Sequence, residues 1–147
     1  MGASGWLISN NVLAFNQNRS GIVVWQPAAT DAVIQNNVFL ANGEQGPNAG
    51  GTNGVDFYGC GGGHQVHNNV YFGAGTSVTD TSSGASYVET SPFETDPLFV
   101  DAGGGDFHLS QGAPGIDSGV GSSAPDHDAE CQPRPQGQGV DVGAYEL

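Results

Sequence analysis

One pattern occurs three times in this chain, and its middle copy reads Val33-Ile34-Gln35-Asn36-Asn37-Val38-Phe39. It aligns without gaps to an earlier copy, Leu7-Ile8-Ser9-Asn10-Asn11-Val12-Leu13, and to a later one, Gln65-Val66-His67-Asn68-Asn69-Val70-Tyr71. The first asparagines of the three copies stand at positions 10, 36 and 68, and intervals of this size are typical of solenoid repeats. The pattern therefore predicts stacked coils joined by loops of unequal length.

A second series lies between these copies and predicts another strand in each coil. Its members are Gly21-Ile22-Val23-Val24-Trp25 and Gly54-Val55-Asp56-Phe57-Tyr58. Because side chains alternate along a strand, half of the strand residues are expected to face inward: Ile8, Ile34, Val66, Ile22, Val24, Val55 and Phe57. The set expected to face outward comprises Ser9, Gln35, His67, Val23, Trp25, Asp56 and Tyr58.

The paired asparagines suit tight corners between strands. Asparagine tolerates the left-handed backbone conformation, and its amide can hydrogen-bond to the equivalent amide of the coil above or below. We therefore predict that one asparagine of each pair belongs to a buried ladder.

Composition restricts the class of protein and its partners. No segment carries the apolar period of an amphipathic helix, so the 147-residue chain is predicted to be a single all-β domain. The formal net charge is -13, with Lys+Arg 2 against Asp+Glu 15, and such a surface repels nucleic acid and anionic lipid. No apolar stretch reaches the roughly 18 residues of a membrane span.

The ends of the chain and its two cysteines leave alternatives open. The first residues lack the basic start and apolar core of a signal peptide. A secreted protein would therefore have lost its leader, or the chain is a piece cut from a longer one, which its start within a repeat favours. Cys60 and Cys131 could form one disulfide or stay as two buried free thiols.

The Asn-Asn-Val turns resemble those of right-handed parallel β-helix proteins of the pectate-lyase-like superfamily. The carboxy-terminal part shares this resemblance in Thr95–Asp101, Gly105–Leu109, Ala113–Gly119, Arg134–Gly137 and Val140–Glu146. The resemblance implies a secreted, single-stranded right-handed parallel β-helix, with coils over about residues 1–91. A Gly-, Pro- and Asp-rich cap over about residues 92–147 would then cover its open end, and Asp117, Asp141 and Arg134 are expected to form a structural network there.

The resemblance also implies an enzymatic alternative, β-elimination on a uronate polymer. In that chemistry calcium offsets the sugar carboxylate and a lysine or arginine removes the α proton. The chain has no lysine, and Arg134 belongs to the cap motif, so Arg19 is the candidate base. No motif of the sequence requires a cofactor or fixes a metal site, and calcium is the ion to consider.

Glycoside hydrolysis is a second enzymatic alternative, which needs two carboxylates flanking the scissile bond. Asp31 and Asp56 form the best pair because both stand next to strands, and His64 and His67 could assist as acids or bases near neutral pH. His64 and His67 are expected on opposite faces of one strand, so a shared metal is not predicted.

Binding of a neutral polysaccharide without catalysis is the principal prediction. Trp25 and Tyr58 would be vertical neighbours with Asp56 as their polar partner, and sugar rings stack on aromatic faces. Gln35 and His67 would extend this outward surface, and the loop Glu44–Asn53 is expected to border it.

A third prediction is a structural or adhesive fragment of a surface protein, in which the coils serve only as a spacer. The first coil has no comparable cap, so its strand edges predict an end-to-end homodimer.

Overall fold

The computed structural model describes residues 4–17, 19–43, 54–73, 75–81 and 84–147. These residues contain no α-helix and one short 3-10 helix, Ala102–Gly104. Their strands are β1 (Leu7–Ser9), β2 (Val12–Ala14), β3 (Ile22–Trp25), β4 (Val33–Gln35), β5 (Val38–Leu40), β6 (Val55–Tyr58), β7 (His64–His67), β8 (Val70–Phe72), β9 (Val78–Asp80), β10 (Tyr87–Thr90), β11 (Phe99–Asp101) and β12 (Asp106–Leu109). The prediction of an all-β chain is confirmed.

Three parallel sheets follow from the repeat. Their strand orders are β1-β4-β7-β10, β2-β5-β8 and β3-β6-β9, whereas β11 and β12 form an antiparallel pair. The chain visits the three parallel sheets in the same order each time, and we call each visit (β1–β3, β4–β6, β7–β9) a coil. Ile8 pairs with Ile34, and Ile34 with Val66, so the predicted register of the copies is confirmed.

The asparagine pairs divide into two roles at the corner between the first and second sheets. The first members, Asn10, Asn36 and Asn68, have φ values of 57°, 55° and 49°, the left-handed conformation that the corner requires. The second members form the predicted ladder, because the Asn37 amide donates to Asn69 Oδ1 at 3.1 Å and the Asn11 amide donates to Asn37 Oδ1 at 3.0 Å.

A second ladder lies after β2 and β5. The Asn16 side-chain amide donates to Asn42 Oδ1 at 2.9 Å, and the Asn42 amide donates to the Leu13 carbonyl at 2.7 Å. This ladder was not predicted from the sequence, although Asn16 and Asn42 are as many residues apart as Asn10 and Asn36.

Aromatic rings and glycines explain how the coils pack. Phe39 and Tyr71 stack inside the coils with ring centroids 5.2 Å apart. A Cβ on Gly21 would lie 2.5 Å from the Phe39 ring, and one on Gly54 would lie 2.3 Å from the Tyr71 ring. The glycine that opens each copy of the second series is therefore needed to admit the ring beside it.

The carboxy-terminal segment lies along the side of the coils. The outward-pointing amides of Asn10, Asn36 and Asn68 donate to the carbonyls of Asp141, Val120 and Ser118 at 2.9, 2.9 and 3.0 Å. Buried Val142 packs with Val38 and Val70, one from each of two neighbouring coils. A cap over the open end stays a prediction, and the observed contacts tie this segment to all three coils at one corner. The Asn36 amide also donates to Asn10 Oδ1 of the preceding coil at 3.3 Å, so the repeat and the carboxy-terminal segment both provide partners for this corner.

The expected structural network in this segment is present. The Arg134 guanidinium pairs with Glu146, both side chains are almost fully buried, and Arg134 also donates to the Gly143 carbonyl at 2.9 Å. Asp141 accepts the backbone N–H of Asp117 at 2.7 Å. These residues connect backbone segments, as predicted.

The two cysteines are not joined. Both thiols are free, with Cys60 buried and Cys131 exposed. The disulfide is therefore absent, and the expectation of two buried thiols is correct for Cys60 and wrong for Cys131.

Candidate functional site

An exposed aromatic pair lies on the outer face of the third sheet. Trp25 at the end of β3 and Tyr58 at the end of β6 are direct partners in the parallel register. Their side chains are 64% and 40% exposed, and their ring centroids are 6.0 Å apart with an interplanar angle of 79°. Their predicted proximity is confirmed, but the rings form a step instead of a flat platform.

Inward residues of the same strands hold this pair in place. Ile22, Val24, Val55 and Phe57 are all buried, as alternation along β3 and β6 predicts. Because these residues fix the strands in the core, the two rings are carried on a rigid sheet.

Asp56 does not belong to the exposed surface. Its side chain lies on the outer side of β6 but is only 5% exposed, because β9 packs next to it. The hydroxyl of Thr79 donates to Asp56 Oδ1 at 3.1 Å, and that of Thr81 donates to the same oxygen. The prediction of Asp56 as an outward polar partner is wrong in this respect.

His64 is fully buried and fully engaged. The backbone N–H of Ala32 donates to Nδ1 at 3.2 Å, so Nδ1 carries no proton, and Nε2 lies 3.0 Å from the Gly61 carbonyl, to which it donates. Its ring stacks on Phe57 with centroids 4.5 Å apart. These contacts make His64 a core residue that joins two coils.

Gln35 and His67 are neighbours in register, yet neither presents a free polar group. Gln35 is buried because the carboxy-terminal segment covers it, and its amide donates to the Ser122 carbonyl at 2.8 Å. The His67 ring contacts the Thr90 hydroxyl through Nδ1 and Gln65 Oε1 through Nε2 at 3.0 Å. Gln35 is therefore wrongly predicted as an accessible residue.

The remaining predicted residues are dispersed. Asp31 is exposed before β4 with φ 55°, whereas Asp56 is buried within β6, so the two carboxylates stand beside different sheets. Arg19 is exposed in the turn before β3. The loop Glu44–Asn53 falls outside the described residues.

Two features are absent from the described residues: a cluster of potential metal-binding side chains and a helix able to span a membrane. The described part of the chain contains no group of three or more His, Cys, Asp or Glu side chains arranged to hold a metal ion. In the described ranges no helix has the length and apolar character needed to cross a membrane.

A cavity that the sequence analysis missed lies beside the last coil. Its volume is about 560 Å³, and its lining includes Tyr71, Phe72, Thr76, Ser77 and Glu94. Such a volume is within the range of small-molecule sites. We call it the end cavity.

A half-buried carboxylate adjoins the end cavity. Glu89 pairs with Val66 in the parallel register and so continues the inward column of Ile8 and Ile34. Ser77 donates to Glu89 Oε2 at 3.3 Å. A carboxylate at a position where the preceding coils have aliphatic residues is the sequence signal that could have found the cavity.

Burial perturbs both titratable groups at this place. It raises the pKa of Glu89, and the like charge of Glu94 adds to the rise, while polar contacts with Tyr71 and Ser77 oppose it. Burial likewise raises the pKa of the Tyr71 hydroxyl, and the adjacent Glu89 charge raises it further. Tyr71 is therefore neutral throughout the physiological range.

The described residues define an all-β protein of three parallel sheets, with an exposed aromatic pair on one sheet and an acidic cavity beside the last coil. No protein-family model, curated protein or solved structure matches the chain.

Proposed function

We propose that the chain is a secreted, single-stranded right-handed parallel β-helix that binds a neutral polysaccharide on the face carrying Trp25 and Tyr58. The cyclic order of the three parallel sheets and the asparagine ladder support this fold. The exposed aromatic step carries the functional proposal, because two neighbouring exposed rings on one sheet offer apolar faces on which a sugar ring can stack.

The shape of the step suits a sugar chain. With the rings nearly perpendicular, one pyranose can stack its apolar face on Trp25 while the edge of the same sugar contacts Tyr58. Coils stacked in register place successive residues along one elongated surface, which matches a polymer better than a compact ligand.

Charge favours a neutral polymer over an anionic one. The chain has a formal net charge of -13 and no lysine, so a uronate polymer would be repelled at long range. Asp56 is buried and accepts two threonine hydroxyls on Oδ1, and both ring nitrogens of His64 contact backbone groups. Binding without catalysis is therefore the function that the geometry supports best.

Affinity electrophoresis with Trp25→Ala tests this proposal. The protein is run in gels containing xylan, cellulose derivative, pectate or alginate, and Phe15→Ala, which also removes an exposed aromatic side chain, is the matched control. Retardation of the wild type and of Phe15→Ala by a neutral polymer, with its loss in Trp25→Ala, supports the proposal.

The same samples distinguish the other functions. New reducing ends would indicate a glycoside hydrolase, and the ultraviolet absorbance of unsaturated uronate would indicate a lyase. Absence of retardation in every gel would favour a structural or adhesive role and overturn the binding proposal.

A further inference from the structure

Within the described part of the chain, the Tyr71 hydroxyl and the Glu89 carboxylate contact each other beside the end cavity, and each has a buried oxygen atom without a well-formed hydrogen bond. Neither the Tyr71 hydroxyl nor Glu89 Oε1 makes a hydrogen bond of normal geometry within that part. Tyr71 is 4% exposed and lines the cavity. Unsatisfied buried polar atoms are costly, which points to a ligand that completes them.

The charge around these atoms is uncompensated. Glu89 occupies a core position, and the charged group that acts on it most directly is the carboxylate of Glu94, which has the same sign. The chain has only two basic residues besides its histidines: Arg134 is paired with Glu146, and Arg19 stands before β3. Neither arginine is among the groups that act on Glu89 in the described part of the chain, so a cationic ligand would compensate this charge.

We propose that the end cavity binds a primary ammonium group carried by a small hydroxylated ligand, with amino sugars as the chemical class. An ammonium group has three N–H donors; the lining offers acceptors on Glu94 and Tyr71, and Glu89 adjoins it through its contacts with Tyr71 and Ser77. The hydroxyls of Thr76 and Ser77 lie in the same lining and suit the hydroxyls of a sugar.

The volume argues against a bare metal ion as occupant. A calcium ion needs six to eight oxygen ligands at about 2.3–2.6 Å, a compact set. The end cavity measures about 560 Å³, and the described residues contain no cluster of three ligating side chains. The half-exposed Phe72 ring in the lining suits an organic body. Only the choice of a sugar body rests on the proposed function, because the ammonium group is argued from the cavity alone.

Isothermal titration calorimetry of the whole chain with the glucosamine dimer tests the site. N,N′-diacetylchitobiose, in which the ammonium groups are replaced by neutral amides, is the matched ligand. We expect the amine to bind at least about tenfold more tightly than the amide, since a charge-assisted hydrogen bond is worth about 1.5–3 kcal/mol. Equal binding of the two ligands, or binding of calcium chloride without binding of the amine, would overturn the proposal.

Three variants locate the binding. Glu89→Gln should weaken amine binding about tenfold or more, because it removes the half-buried charge while keeping the shape. Tyr71→Phe removes a single hydroxyl and should weaken binding by a smaller factor. Asp126→Asn changes the net charge equally on an exposed loop and should leave binding unchanged.

A purely structural role for Glu89 gives a different result. In that case Glu89→Gln alters the urea midpoint but leaves amine affinity unchanged, which contradicts the proposal. Because Trp25→Ala leaves the end cavity intact, it should not affect amine binding. Loss of polymer retardation and loss of amine binding therefore report on two separate sites.

Discussion

Replacing Asn37 with alanine removes the central amide of the ladder. Its Oδ1 accepts the backbone N–H and the side-chain amide of Asn11, both at 3.0 Å. The two protons on its Nδ2 are shared among three acceptors, the carbonyls of Gln35 at 2.9 Å and Ile8 at 3.0 Å and Oδ1 of Asn69 at 3.1 Å. The left-handed φ of this corner belongs to Asn36, so alanine at position 37 adds no backbone strain.

These contacts set the expected loss of stability. Asn37 is completely buried, so the partners of its two amide protons and of the two hydrogen bonds accepted by Oδ1 cannot all turn to water instead. At about 1 kcal/mol for each net hydrogen bond, the substitution should lower the free energy of unfolding by about 4 kcal/mol. For a domain of this size, that corresponds to a fall in Tm of about 8–16 °C.

Urea unfolding followed by circular dichroism measures the effect, with Asn11→Ala as the control. Asn11 is the exposed end of the same ladder and donates to only two acceptors, the Ser9 carbonyl and Asn37 Oδ1. We expect Asn11→Ala to lower the free energy of unfolding by about 1 kcal/mol or less, because water can take the place of the exposed Asn11 amide. Similar losses for the two variants would refute the ladder as a source of stability.

Three further predictions concern the rest of the molecule. Arg134→Met leaves buried Glu146 without its partner and should lower the free energy of unfolding by about 3–5 kcal/mol, whereas a shift below 1 kcal/mol in urea unfolding would contradict a buried ion pair. Hydrogen bonds to neighbouring carboxylates, first of all Asp106, raise the pKa of His108 above 6.5. The stability that protonated His108 adds to the folded protein is therefore fully present below pH 6.5 and is lost as the pH rises through the raised pKa. His108→Gln should abolish that pH dependence of the urea midpoint. A thiol reagent should label exposed Cys131 quickly and Cys60 slowly, because burial shields the Cys60 thiol and raises its pKa. Equal labelling rates would contradict the burial of Cys60.

The repeat made the coils predictable. The three Asn-Asn copies place the same residue types at the same offsets, so Ile34 stacks on Ile8 and Asn37 on Asn11. Alternation then predicts which neighbours face inward. Because only periodicity is needed, the parallel register and the proximity of Trp25 and Tyr58 could be predicted without a structure.

Contacts outside the repeat could not be predicted in this way. Asp56 is buried because Thr79 and Thr81 of the third coil bond to it, and that coil departs from the first two copies in sequence. Gln35 is covered by the carboxy-terminal segment, whose position depends on non-local contacts. No periodicity connects Gln35 with Ser122, so only the three-dimensional structure shows that Gln35 is covered.

Glu89 and the end cavity could not be predicted from the sequence for a different reason. Glu89 occupies the column of Ile8 and Ile34, but the sequence around it lacks the Asn-Asn pattern, so its alignment was not evident. With the register known, an acidic residue at an apolar position becomes the most informative departure from the repeat.

Nuclear Overhauser spectroscopy of the isotope-labelled chain tests the stacking of the coils most directly. We expect backbone contacts between Ile8 and Ile34 and between Ile34 and Val66 in the pattern of parallel strands. These residues should make no strand-pairing contacts with residues closer in the sequence. Antiparallel contacts within each copy, or a helical series of sequential amide contacts, would contradict the stack and remove the surface on which both proposed sites depend.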